Sequence, residues 1–74
     1  MDLAEEVKIK LKRVFPDDLI EIDFSDGKHM AVMIKSPKFQ NKSLLEQHKM
    51  VYEAVADLIK SGYLHALKIK TLAE

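Results

Sequence analysis

The feature that most constrains this chain is a change of hydrophobic period at Pro16. Before it, Leu3, Val7, Leu11 and Val14 recur at spacings of four, four and three, which places them on one face of a helix. After it, from Leu19, the period is two: Ile20, Ile22 and Phe24 point one way, Glu21, Asp23 and Ser25 the other. Asp2 is placed to cap the helix, with Glu5 and Glu6 in its positive first turn and Lys12 and Arg13 in its last. Pro16 cannot continue a helix and restricts Phe15 before it. The spacing therefore predicts a helix over 2–14 followed by a strand buried on one side.

Asp26-Gly27 is a dipeptide that favours the positive φ angles of a tight hairpin turn. The run 28–35 alternates again, with Met30, Val32 and Ile34 on one face and His29, Ala31 and Met33 on the other. Ser36-Pro37 ends it, and 38–42 reads as a polar loop. Ser43 and Glu46 have the spacing of a capping box, and Leu44, His48, Val51, Val55, Leu58 and Ile59 form the apolar stripe of a second helix. Gly62 suits its left-handed end, after which 64–72 is β-type, with His65, Leu67, Ile69 and Thr71 sharing parity. The order is α-β-β-α-β, with scope for a short turn of helix over 61–64. Three strands and two amphipathic helices bury their apolar faces most economically as an α+β fold, a three-stranded mixed sheet with both helices on one face. The first two strands pair as an antiparallel hairpin. No repeat or linker divides the chain, so residues 1–74 are expected to form one domain.

A chain of 74 residues buries only about 60% of its unfolded surface, so the core has little margin. Cysteine is absent, which excludes disulfides, thiolate zinc sites and thiol catalysis. Twelve basic and twelve acidic side chains cancel, which argues against a polyanion as the main partner. No apolar run reaches the length of a membrane span and no signal segment opens the sequence, so the expected location is the cytoplasm, away from any membrane.

None of the glycine-rich phosphate loops, nucleophile elbows or paired-histidine metalloprotease motifs occurs; carboxylate pairs such as Glu21/Asp23 and Asp17/Asp18 have the chemistry for acid–base work, but the first alternates on the solvent face of a strand and reads as a solvated edge. No enzymatic constellation is present. Of the three histidines, His48 lies in an apolar stripe, where a histidine packs and bonds a carbonyl. His29 follows the hairpin turn and is expected to be exposed; His65, among Leu64, Ala66 and Leu67, is expected to be shielded. Two histidines from separate strand ends suit a borderline metal if those ends meet, but two ligands do not close a site. Further ligands would have to come from a partner.

The run Lys38-Phe39-Gln40-Asn41-Lys42-Ser43-Leu44-Leu45-Glu46-Gln47-His48-Lys49-Met50-Val51-Tyr52 resembles the signature F-x-G/N-x-S/P-L-x-x-H-[RK]-x-[VI]-[YN] of BolA-like proteins. Leu64-His65-Ala66-Leu67-Lys68-Ile69-Lys70-Thr71 is similar to that family's closing strand, hydrophobic-H-A-L-x-[IL]-K-T, and Ser25-Asp26-Gly27-Lys28-His29 looks closest to its IbaG/YrbA-like branch. The resemblance implies a class II KH-like fold and an adaptor that forms a heterodimer with a monothiol glutaredoxin, in iron–sulfur cluster trafficking or iron regulation. It implies a [2Fe–2S] cluster shared with that partner and glutathione, with none in the isolated protein, which is expected to be monomeric alone. His65 of the H-A-L motif would be one ligand and His29 of the hairpin region the second. By the same resemblance Phe39, Asn41, His48, Lys68 and Lys70 are the expected partner contacts. Asn41 replaces the family glycine, a substitution that the left-handed conformation tolerates. The extension often found after K-T is not present in this sequence; the resemblance places it near the partner surface, which bears on partner affinity. The alternative implied by the KH-like fold is a DNA-binding transcriptional regulator. Against it stand the missing GxxG loop and the balanced charge, and the lysines at 35, 38, 42, 68 and 70 read as solvated.

Overall fold

The computed structural model describes residues 2–74. Its elements are α1 (Leu3–Val14), β1 (Leu19–Asp23), β2 (Met30–Lys35), a 3₁₀ turn (Pro37–Phe39), α2 (Leu44–Ala54), α3 (Ala56–Lys60) and β3 (Leu67–Leu72). The Asp2 carboxylate accepts the Glu5 N–H at 2.8 Å, and α1 buries Val7 and Leu11. The Phe15 N–H closes the helix on the Leu11 carbonyl at 2.8 Å before Pro16 turns the chain.

The sheet has the order β1-β2-β3. β1 and β2 are antiparallel, with Ile20 opposite Ile34 and Ile22 opposite Val32. β2 and β3 are parallel, with Met30 opposite Leu67, Val32 opposite Ile69 and Ile34 opposite Thr71. A parallel pair needs a long crossover, which α2 and α3 provide. The sheet is thus mixed and the α+β architecture is the expected one. On the inner face Ile20, Met30, Val32, Ile34 and Leu67 join Val7, Leu11, Phe15, Phe39, Val51, Val55, Leu58 and Leu64 in one buried cluster. The Phe15 and Phe39 rings meet at its edge, centroids 5.4 Å apart and tilted by 50°. Among the described residues no helix is long and apolar enough to cross a membrane.

The second helix is interrupted at Val55, whose φ of −116° leaves α-geometry. Periodicity does not register the break, because Val51, Val55 and Leu58 keep their spacing of four and three across it and all three are buried. Leu44, expected in the apolar stripe, is exposed, as is Leu45. The capping box forms: the Glu46 N–H donates to Ser43 Oγ at 3.1 Å, and the Ser43 N–H donates to Glu46 Oε1 at 2.8 Å. Gly62 takes the left-handed ending, with φ +80°.

The hairpin differs from the two-residue turn expected at Asp26-Gly27. Of that pair only Gly27 has positive φ, +73°, and its N–H bonds the Phe24 carbonyl at 3.1 Å. The Asp26 carboxylate takes the N–H groups of Lys28 and His29, at 2.9 and 2.8 Å, that a tight hairpin would have left to the strand ladder. β2 consequently starts at Met30, not Lys28, and His29 stands in the loop.

Candidate functional site

The parallel register sets Met30 beside Leu67, so the residues preceding them, His29 and Ala66, leave the sheet at one end. His29 lines a depression of about 540 Å³ with Met30, Ala66, Leu67 and Lys68. His65 lines a neighbouring one of about 350 Å³ with Leu3, Phe24, Gly27, Lys28, Tyr63, Leu64 and Ala66. The two hollows share Ala66 as a common wall. The hairpin loop and the segment before β3 thus bring the two sequence-predicted ligands to one end of the molecule.

His65 corrects its sequence expectation: it is exposed, not shielded, because β3 begins at Leu67 and Leu64 alone of its near neighbours turns into the core before it. His29 is exposed, as expected, but it is not unsupported. Its Nδ1 lies 2.9 Å from the Asp26 carboxylate. An ionised carboxylate only accepts, so Nδ1 carries a proton and, in the neutral ring, Nε2 is left as the lone-pair donor. This is the outer-shell arrangement that fixes the tautomer of a ligating histidine. The His29 and Lys28 backbone N–H groups, with the His29 ring, hold the Asp26 carboxyl far below the usual carboxylate range. Asp26 is therefore ionised at any physiological pH. Sequence reasoning had assigned it only to the turn; its signal was a carboxylate three residues before a histidine within a turn.

Two imidazoles are the donor set at this end. Among the described residues no group of three or more His, Cys, Asp or Glu side chains is placed to hold a metal ion. The arrangement fits a metal only as part of a site whose remaining ligands come from elsewhere.

The other candidate residues divide. Phe39 is fully buried against Phe15, so a folded partner cannot touch its ring; this corrects its assignment as a partner contact. The motif phenylalanine is there for the core. Asn41 is exposed with φ +63°, the left-handed conformation it was expected to tolerate, so its place in the motif reflects the backbone turn into α2. His48 is half-buried and, among the described residues, its ring makes no hydrogen bond, in contrast to the expected carbonyl contact. Its neighbour Gln47 makes those bonds instead, donating to the Phe39 and Lys42 carbonyls at 3.2 and 3.0 Å. Lys68 and Lys70 are exposed on the sheet face away from the helices, and Lys68 also borders the His29 hollow.

Comparison with known proteins agrees with this fold. A model of the family described as "BolA-like protein" matches residues 16–74. The uncharacterized protein RP812 of Rickettsia prowazekii is 36% identical over 72 residues, which is 95% of this chain and 92% of that one. The structure of BolA1 from Arabidopsis thaliana superposes with a TM-score of 0.84 at 26% identity, covering 97% of this chain and 92% of that one. The BolA domain of SufE1, also from Arabidopsis thaliana, gives 0.83 at 27% identity, with 97% and 93% covered. From its family signature, its mixed three-stranded sheet and these relatives, the chain belongs to the BolA-like family.

Proposed function

We propose that this protein is a binding adaptor, not an enzyme, that docks a monothiol glutaredoxin and supplies His65 and His29 to a [2Fe–2S] cluster held between the two proteins. Membership of the BolA-like family and the likeness to the BolA domain of SufE1 support an iron–sulfur-related role. The observation that carries the finer reading is the pairing of His29 with Asp26, at one end of the sheet with exposed His65 and without the further ligands of a closed site. A histidine held in the ligating tautomer at an open surface is suited to a cluster whose other ligands are the partner cysteine and glutathione. Imidazole in place of thiolate removes negative charge from the iron it binds and raises the reduction potential. DNA binding has weaker support: Lys68 and Lys70 share their sheet face with Glu21 and Asp23, which offsets the positive field a polyanion requires.

The test is titration of this protein into cluster-loaded monothiol glutaredoxin with glutathione, followed by visible circular dichroism. The wild type should change the spectrum, His65→Ala should abolish that change, and His29→Ala should reduce it. A spectrum that the wild type leaves unaltered would overturn the proposal, and one that His65→Ala still alters would remove His65 from the site.

A further inference from the structure

The sheet face turned away from the helices has a charge pattern that no feature of the histidine end explains. Three rows cross it in register: Asp23–Ala31–Lys68, Glu21–Met33–Lys70 and Leu19–Lys35–Leu72. One edge strand is acidic, the other basic, and the middle strand is small or apolar at Ala31 and Met33. Together Glu21, Asp23, Ala31, Met33, Lys68 and Lys70 line a shallow depression of about 380 Å³. Among the described residues none of the four charged side chains is in an ion pair. Leu19 and Leu72, at opposite ends of the third row, are large apolar residues left 51% and 37% exposed.

This pattern is complementary to itself. A two-fold axis lying along the strands and over β2 carries β1 of one copy onto β3 of the other while keeping every row at its own level. Asp23 then faces the second copy's Lys68, Glu21 its Lys70, and Leu19 its Leu72. Met33 meets Met33 on the axis. Lys35 also meets its own copy there, but each Lys35 is already paired with Glu74 at 2.6 Å, which offsets the like charge. The alternative two-fold axis, across the strands, would stack β1 on β1 and bring carboxylates onto carboxylates. Both arrangements keep the strands of the two sheets aligned, as packed sheets favour, so it is charge that selects the first.

We propose that the open sheet face is a self-association surface on which two copies of this chain pack face to face, β1 over β3. Symmetric pairing of this kind is isologous and closed, so it stops at a dimer. Three strands about 4.8 Å apart, five residues long in β1 and six in β2 and β3 at about 3.3 Å each, give a face of roughly 270 Å² per copy. That is well below the ~800 Å² per partner of a standard stable complex. The association is accordingly weak, with a Kd of about 0.1–1 mM, and the chain is monomeric when dilute.

Sedimentation equilibrium of the full chain without any partner, from about 10 µM to about 1 mM at low salt, should show dimer toward the upper end, lost on adding salt. Two variants sharpen the test. Glu21→Lys with Asp23→Lys makes both edges basic, and Lys68→Glu with Lys70→Glu makes both acidic. Each alone should associate at least ~10-fold more weakly than the wild type, because every facing pair is then repulsive. Mixed in equal amounts they should form a heterodimer, since all four pairs become attractive again. Adding Met33→Asp to both members keeps their opposite net charges but puts two carboxylates on the axis, and should abolish the heterodimer. Far-ultraviolet circular dichroism verifies that each variant is folded. A wild type that stays monomeric at about 1 mM, or a mixture whose association survives Met33→Asp, would overturn the proposal. Because no glutaredoxin or cluster is present, neither result bears on the cluster-binding reading.

Discussion

The Asp26 carboxylate lies 2.9 Å from His29 Nδ1 while accepting the Lys28 and His29 backbone N–H groups. One side chain thus fixes the path of the hairpin loop and the tautomer of the histidine it carries. The same contacts that stop the chain from closing a two-residue turn lift His29 out of β2 and orient it at the sheet end. Turn chemistry and site chemistry are here one set of hydrogen bonds.

Asp26→Ala should therefore weaken the shared cluster by about 10- to 100-fold, the usual cost of losing an outer-shell partner of a ligating histidine. Asp26→Asn keeps an acceptor for Nδ1 but not the charge, and should fall between wild type and Asp26→Ala. The measurement is cluster affinity by visible circular dichroism, with the reduction potential as a second readout that a loss of loop order alone would not shift in a graded series. Equal affinities for all three proteins would show that His29 is not oriented by Asp26 or is not a ligand.

Phe39→Ala should destabilise the fold by about 3–5 kcal/mol, through lost transfer energy and the cavity left beside Phe15. That is a large share of the total for a chain this short, whose stability is of order 4–11 kcal/mol. Phe39→Leu should cost less. Urea unfolding checks both. A partner-contact residue would leave the urea midpoint in place and change only binding, so unchanged stability would restore Phe39 to the partner surface.

The elements read correctly from sequence are those whose signals are local. The capping box at Ser43 and Glu46, the break at Pro16 and the alternation in β1 and β2 each depend on residues within one turn or one strand. The misread features depend on competition or on distance. Val55 interrupts the second helix without disturbing the apolar spacing, so no period reveals it. Leu44 has the right spacing for the stripe, yet at the first position of α2 it stands beyond the sheet's cover. At the site, the residue types were legible and the surroundings were not: His65 sits among apolar letters, and only the start of β3 at Leu67 shows that it is outside the sheet. The acid–base pattern of the open face needs the parallel register of β2 and β3, which nothing in one strand encodes.

Stability should fall as the medium is acidified, in part through Glu46 and Asp57. The Ser43 backbone N–H, chiefly, holds the Glu46 carboxyl below its usual range, and the bond from the Lys10 ammonium does the same for Asp57. With folded pKa values depressed, the unfolded chain takes up protons first. The stabilisation is present above the ordinary carboxylate pKa, about 4, and is lost as pH falls through the lower folded values. Both groups are exposed, so each contribution is small and screened. Urea midpoints measured from pH 7 down to pH 3 should drop less steeply in Glu46→Gln and in Asp57→Asn, and added salt should weaken the Lys10–Asp57 part specifically. Identical slopes in wild type and both variants would place the acid sensitivity elsewhere.

Two of the left-handed residues, Gly27 in the hairpin loop before His29 and Asn41 in the turn before α2, should respond to substitution differently. Gly27 has φ +73°, and a Cβ built on it would meet nothing within 4 Å, so the cost of Gly27→Ala is backbone strain alone, about 1–2 kcal/mol. D-alanine introduced at that position by chemical synthesis has the opposite preference and should be neutral or stabilising, because it restricts the unfolded chain without straining the folded one. Asn41, at φ +63°, is already a side-chain-bearing residue in the same region, so Asn41→Gly should change stability by less than about 1 kcal/mol. Asn41→Val, β-branched and intolerant of positive φ, should cost more than Gly27→Ala. Thermal unfolding of the four proteins gives the order directly. If the L- and D-alanine proteins melt together, the hairpin loop relaxes out of the left-handed turn. The Asp26 contacts formed around that turn would then be too loose to hold His29 in a single orientation.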